Sequence, residues 1–290
     1  MQATSPLISV DELIRLLRDG PAGVTVLDVR YRMGGPPGEQ EHAAGHVPGA
    51  AYVDLNTALA GPPGARGRHP LPEVAGFEAS MRAAGVRDDR PVVVYDDWQG
   101  RAAARCWWLL RWAGHGDVRV LDGGWSAWVA AGGVVSTSLD HQGELDHQGE
   151  PDPHGAGDFT ARPGQLPTIE AGEVLAFAEQ HLLVDARNPE RYRGDVEPVD
   201  PVAGHVPGAV NVPTGENLRP DGTFRSPEEL REVYAAAEGD QVAAYCGSGV
   251  TAAHDLLAMR VAGVDGVLYP GSWSEWVTDP ERPVSTSARP

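Results

Sequence analysis

One seven-residue string occurs twice in this chain, as Ala44-Gly45-His46-Val47-Pro48-Gly49-Ala50 and as Ala203-Gly204-His205-Val206-Pro207-Gly208-Ala209. Such an identity at matching places in two halves marks a tandem duplication. Shorter echoes keep the same order. Leu27-Asp28-Val29-Arg30 is answered by Val184-Asp185-Ala186-Arg187, Trp125-Ser126-Ala127-Trp128 by Trp273-Ser274-Glu275-Trp276, and Val135-Ser136-Thr137-Ser138 by Val284-Ser285-Thr286-Ser287. The offset between matching blocks shortens toward the C-terminus, so the halves differ by loop insertions and share one plan. A chain of 290 residues is long enough for two such domains, each burying its own core. The repeats place an N-terminal domain at 1–138 and a C-terminal domain at 167–290. Between them, 139–166 reads as a low-complexity linker, polar and rich in Gly and Pro, with the hexapeptide Leu139 to Glu150 doubled.

Within each half, short apolar runs alternate with helical patterns. Ser9-Val10-Asp11-Glu12 has the form of a capping box and predicts a helix from Val10. Val24 to Val29 reads as a buried strand, and Tyr31 to Glu41, polar with Gly and Pro, as loop. A helix is expected over Glu73 to Ala84, a strand over Val92 to Tyr95, a helix over Arg101 to Trp112 and a strand over Val118 to Leu121. This alternation predicts an α/β class, with a parallel sheet flanked by helices on both faces in each half.

The chemistry concentrates in Tyr245-Cys246-Gly247-Ser248-Gly249-Val250-Thr251-Ala252. The apolar run Val242 to Tyr245 stops at a cysteine and a small-residue loop, and a helix-like segment follows. A strand, a Gly-containing loop and a helix start direct several backbone N–H groups and the positive end of a helix dipole at one point. That point is an anion site, with Cys246 at its edge as candidate nucleophile. Gly247, Gly249, Val250 and Thr251 would form the cradle, and the loop itself carries no charged side chain. A phosphatase loop would need arginine at the position of Ala252, which excludes that chemistry. In the first half the matching strand ends at Asp96 in place of cysteine, expected to be a solvated loop carboxylate in a non-catalytic copy.

A formal charge of −18 argues against nucleic acid and against anionic membranes as partners. The two cysteines, Cys106 and Cys246, make no disulfide framework and suit a reducing, cytoplasmic compartment. His141, His147 and His154 fall in the linker without ordered spacing, so no metal is expected.

Taken together, the paired Gly-His-Val-Pro-Gly-Ala blocks, Leu121-Asp122-Gly123-Gly124 and above all Cys246 to Ala252 resemble the two-domain rhodanese family, within it the 3-mercaptopyruvate sulfurtransferases. The resemblance covers nearly the whole chain. It implies two tandem rhodanese-like domains, the second catalytic, and transfer of sulfane sulfur from 3-mercaptopyruvate through a Cys246 persulfide to a thiol, cyanide or protein acceptor, without a cofactor. It further implies that Arg187, and as a second candidate Arg191, hold the donor carboxylate. Ser248 would be paired with His46 to move a proton; the aspartate of that relay has no evident counterpart, since Tyr31 to Glu41 offers only Glu39 and Glu41. Thiosulfate-preferring members carry basic residues after the cysteine, where this chain has Gly247, Ser248 and Gly249. The alternatives are a thiosulfate:cyanide sulfurtransferase and a persulfide carrier serving a specific partner.

Overall fold

A computed structural model of the chain describes residues 5–20, 23–137 and 156–286. The chain divides into two compact units. Up to Leu59, and again from Pro72 through Gln165, it belongs to the first; residues 60–71 and those from Leu166 onward belong to the second. The segment 60–71, inside the 1–138 boundary read from the repeats, is therefore grouped with the C-terminal half. Most of the expected linker, with His141, His147, His154 and the doubled hexapeptide, lies outside the described residues. Its last part is packed structure: Gly157 N–H donates to Arg82 O at 2.7 Å, Arg162 N–H to Ala113 O at 2.7 Å, and Phe159 is fully buried edge-on to Phe77. One apolar ring with a site to fill overrides the polar composition around it.

The first unit is built on a five-stranded parallel sheet in the order β1-β5-β4-β2-β3. Its elements are β1 (Leu7–Ile8), α1 (Val10–Asp19), β2 (Thr25–Asp28), α2 (Gly38–Ala44), β3 (Ala51–Tyr52), α3 (Leu55–Ala58), α4 (Val74–Ala83), β4 (Val92–Tyr95), α5 (Arg101–Trp112), β5 (Val118–Leu121) and α6 (Gly124–Ala130). The capping box forms as read, Ser9 Oγ accepting from Glu12 N–H while Glu12 accepts from Ser9 N–H. Leu13 of α1 and Trp128 of α6 close one face of the sheet over Val26, Val93 and Leu121. Fully buried Ala102, Ala103, Cys106 and Leu109 of α5 serve the other. The expected loop over Tyr31 to Glu41 is half wrong, because α2 starts at Gly38 behind Pro37, with Glu39 and Glu41 in its first turn where the helix dipole favours acids.

The second unit repeats the plan on a four-stranded parallel sheet, β7-β6-β8-β9. Its elements are α7 (Val174–Gln180), β6 (Leu182–Asp185), α8 (Pro189–Arg193), β7 (Val210–Asn211), α9 (Pro227–Val233), β8 (Val242–Tyr245), α10 (Ala252–Ala262), β9 (Gly266–Leu268) and α11 (Ser272–Trp276). Where the first unit has β1, the second keeps only a single parallel bridge, Thr168 to Leu268. Val174, Trp273 and Trp276 pack on one face against Ala243 and Tyr245, while α10 covers the other.

The repeated strings prove to be one repeated lock. In the first unit Arg30 grips the Asp28 carboxylate with Nε and Nη2, Nη2 also donates to Gly45 O at 2.6 Å, and Val47 N–H donates to Tyr95 Oη at 3.2 Å. In the second, Arg187 does the same to Asp185 and Gly204 O, also at 2.6 Å, and Val206 N–H donates to Tyr245 Oη. The tail echo has its own cause: Ser136 pairs antiparallel with His46 and Ser285 with His205. Ser138 and Ser287 fall outside the described residues.

Asp96 is not solvated. It is fully buried and its carboxylate accepts three main-chain N–H groups, from Trp98 at 2.8 Å, Gly100 at 2.8 Å and Ala103 at 2.9 Å. Burial pushes its pKa up against the pull of those amides. Replacing Asp96 with Ala strands three buried donors and is expected to lower the unfolding free energy by about 3 kcal/mol. Urea titration followed by tryptophan fluorescence reads this, and a loss below about 1 kcal/mol would contradict it.

Candidate functional site

Strand β8 ends at Tyr245, and the next two carbonyls are fixed by α11. Trp273 N–H donates to Cys246 O at 3.0 Å and Ser274 N–H to Gly247 O at 2.9 Å. Ser272, which holds φ at 55°, accepts Cys246 N–H on its Oγ at 3.1 Å and donates to Tyr269 O at 3.0 Å. Those two loop carbonyls are thus committed to α11. Gly249 N–H lies 3.1 Å from Cys246 Sγ. The N–H groups of Ser248, Val250 and Thr251 have no protein acceptor among the described residues. Of Gly247, Gly249, Val250 and Thr251, the residues expected to form a cradle, Gly249 is the one whose N–H is seen at the thiol.

Glycine is required at one of its two positions. Gly249 has φ +79°, and a Cβ there would stand 2.2 Å from Pro270 O. At Gly247 a Cβ would meet only side-chain tips: Arg68 Nη2 at 3.0 Å and Arg191 Nη1 at 3.5 Å. Two guanidinium groups therefore stand directly over the residue that follows Cys246. The loop is neutral in sequence, but the site is not bare of cations, because Arg68 arrives on the 60–71 segment and Arg191 on α8.

Both arginines are held from behind by carboxylates. Arg191 makes a two-point contact with Glu197, Nη2 to Oε1 at 2.6 Å and Nε to Oε2 at 3.1 Å, and Nη2 lies 3.3 Å from Asp200 Oδ2. Arg68 Nη1 pairs with Asp200 Oδ1. Glu197 is held below the usual carboxylate range: burial raises its pKa, but Arg191 and main-chain donors outweigh that. Asp200 is shifted upward by burial, against the pull of Arg68. Cys246 is buried, whereas Arg68, His69, Arg191 and Thr251 around it reach solvent in part.

The imidazole beside Ser248 belongs to His69, whose Nδ1 lies 2.8 Å from Ser248 Oγ. The histidine expected there, His46, is buried in the first unit, its Nδ1 on His42 O at 2.8 Å and its ring stacked on His42. His205 repeats that placement on Tyr192 O. Both histidines of the duplicated block thus hold the same place in their own units, Nδ1 on a main-chain carbonyl. Arg187 likewise departs from its expected role. Its side chain is 2% exposed, spent on Asp185, Gly204 O and Glu197, and laid over Trp273 with 4.6 Å to the ring centroid. Arg191, the second candidate, is the one at the loop. Residues 66–69, Arg-Gly-Arg-His, were not singled out in the sequence; the available signal was a cationic cluster in a Gly/Pro-rich stretch of a strongly acidic chain. Among the described residues no group of His, Cys, Asp and Glu is arranged to hold a metal ion.

A profile described as "Rhodanese-like domain" matches residues 9–131 and 170–279. The chain is 45% identical over 292 residues, 96% of each chain, to a Mycobacterium tuberculosis protein named "Putative thiosulfate sulfurtransferase SseB". It is 42% identical over 295 residues, 98% of this chain and 99% of the other, to a Pseudomonas aeruginosa protein named "Probable 3-mercaptopyruvate sulfurtransferase". Among solved structures, SseA from Escherichia coli, described as a 3-mercaptopyruvate sulfotransferase, superposes with a TM-score of 0.77 at 30% identity, covering 94% of this chain and 100% of that one.

The two loop glycines should respond differently to one added methyl group. Gly249→Ala meets a fixed carbonyl at a left-handed position and is expected to destabilise the protein by about 2–4 kcal/mol. Gly247→Ala meets flexible side-chain ends and is expected to leave the melting temperature within about 2 °C of the parent. Differential scanning calorimetry of both variants checks this; equal losses would contradict the assignment of strain to Gly249.

Proposed function

The chain belongs to the rhodanese family, and we propose that this sulfurtransferase draws its sulfur from 3-mercaptopyruvate and carries it as a persulfide on Cys246. The observation that carries this reading is the Ser248–His69 contact of 2.8 Å inside the cysteine loop. Release of sulfite from thiosulfate needs no proton. Release of pyruvate from 3-mercaptopyruvate does, because the leaving group is an enolate, and a hydroxyl paired with an imidazole can supply or relay one. The names of the relatives divide between the two donors and do not decide the matter.

In the proposed reaction the Cys246 thiolate attacks the donor's thiol sulfur, the bond from that sulfur to carbon breaks, and its electron pair leaves with the enolate. The proton from the donor thiol passes by way of Ser248 and His69 to the methylene carbon, giving pyruvate and the Cys246 persulfide anion. The amides of Ser248, Gly249 and Val250 would stabilise that anion. Support comes from the first unit, where the corresponding loop binds the Asp96 carboxylate through the matching amides of Trp98 and Gly100. Arg191 would take the donor carboxylate across Gly247, a fork suited to that group. A thiol, cyanide or protein acceptor then attacks the outer sulfur and returns the thiolate. Both cysteines of the chain are free thiols, in keeping with the reducing, cytoplasmic setting read from the sequence. No metal or organic cofactor enters this scheme.

His69→Gln and Ser248→Ala are expected to lower kcat with 3-mercaptopyruvate by about 10²–10⁴-fold. The same changes should cost thiosulfate turnover much less, and His46→Gln should leave kcat for either donor near the parent value in a correctly folded protein. Steady-state assays of thiocyanate formation from cyanide measure this. Equal losses with both donors, or a loss in His46→Gln matching that in His69→Gln, would overturn the relay.

A further inference from the structure

Three guanidinium groups and three carboxylates meet beside the cysteine loop: Arg68, Arg187 and Arg191 against Asp185, Glu197 and Asp200. The cluster is formally neutral, but its two ends differ. Arg187, Asp185 and Glu197 are at most 4% exposed in their side chains and locked together. At the other end Asp200 bridges Arg68 and Arg191, and the Arg68 side chain is 30% exposed. The same Arg68 presents Nη2 to the space over Gly247, and its own N–H donates to Ser274 Oγ at 3.0 Å, next to the helix turn that anchors Cys246. Arg68 is thus fixed at both backbone and side chain, with one edge on Asp200 and one toward the place a donor must occupy.

We propose that the Arg68–Asp200 pair sets which charge of sulfur donor the site accepts. With Asp200 in place, the net charge facing the donor is close to that of a single guanidinium, which matches a monoanion such as 3-mercaptopyruvate. Loss of the Asp200 charge adds one positive unit beside the two guanidinium groups that stand over Gly247 and favours a dianion such as thiosulfate. Loss of the Arg68 charge does the reverse. In this chain donor choice is set by a residue pair outside the cysteine loop, where the loop sequence alone shows only neutral residues. The inference rests on the proposed reading of the site as a sulfur-donor pocket.

The experiment compares kcat/KM for thiosulfate and for 3-mercaptopyruvate, with cyanide as acceptor, in the full chain and four variants. Asp200→Asn is expected to raise the thiosulfate to 3-mercaptopyruvate ratio about tenfold, and Arg68→Gln to lower it about tenfold, as one unit charge at this range implies. Asp200→Glu and Arg68→Lys keep the charges and should restore a ratio close to the parent's. Damage to the fold alone would reduce both donors together and leave the ratio flat, so opposite movements in the two charge-removing variants are the signature. A flat ratio in variants that remain active overturns the selector. A parent protein that takes sulfur from neither donor instead overturns the underlying reading of the site.

Discussion

Everything proposed for Cys246 depends on two hydrogen bonds that do not touch it chemically: Trp273 N–H to Cys246 O and Ser274 N–H to Gly247 O. A loop between strand and helix can satisfy its own amides by curling its carbonyls inward, and it then binds nothing. Here α11 takes the Cys246 and Gly247 carbonyls, Ser272 takes the Cys246 N–H, and Gly249 N–H reaches Cys246 Sγ. Gly249 allows the turn because its φ of +79° and the close approach of Pro270 O leave no space for a side chain. The twice-repeated Trp-Ser-x-Trp string thus belongs to the machinery that shapes the loop as well as to the core.

The duplication lets the chain display the same device in two states. In the first unit the anion is supplied by the protein: Asp96 fills the loop, Trp125 N–H donates to Asp96 O, and Gly124, with φ +57°, stands where the second unit has Ser272. A Cβ at Gly124 would lie 2.4 Å from Asp96 O. In the second unit the loop begins with a thiol, and Gly249 N–H lies 3.1 Å from its Sγ. The buried Asp–Arg–Gly lock is kept in both, which separates the shared architecture from what differs between a carboxylate and a thiol at the head of the loop.

Much of this was legible before any coordinates. The duplication, the α/β alternation, the α1 capping box and the cysteine loop all follow from short-range pattern, because each depends on residues close in sequence. Where the reading failed, the cause was long-range. His46 and Arg187 were assigned chemistry on resemblance, yet both sit in the duplicated lock, and their identical counterparts His205 and Arg30 already hinted at architecture. Arg68 and His69 lie at the cysteine loop although some 180 positions separate them from it in the chain. Nothing local marks their approach, since only the fold joins residues 60–71 to the second unit. Asp96 was placed in solvent because a carboxylate after a strand is usually hydrated, whereas three converging amides supply here what water would.

The central claim is that Cys246 receives and holds the donor's sulfur in a cradle of main-chain amides. Intact-protein mass spectrometry after incubation with 3-mercaptopyruvate, without acceptor and without reductant, tests it most directly. A gain equal to one sulfur atom is expected, located by peptide mapping to Cys246, removed by cyanide, and absent from Cys246→Ser. A sulfur adduct on Cys106, or turnover of the donor with no adduct at any point in the cycle, would contradict it.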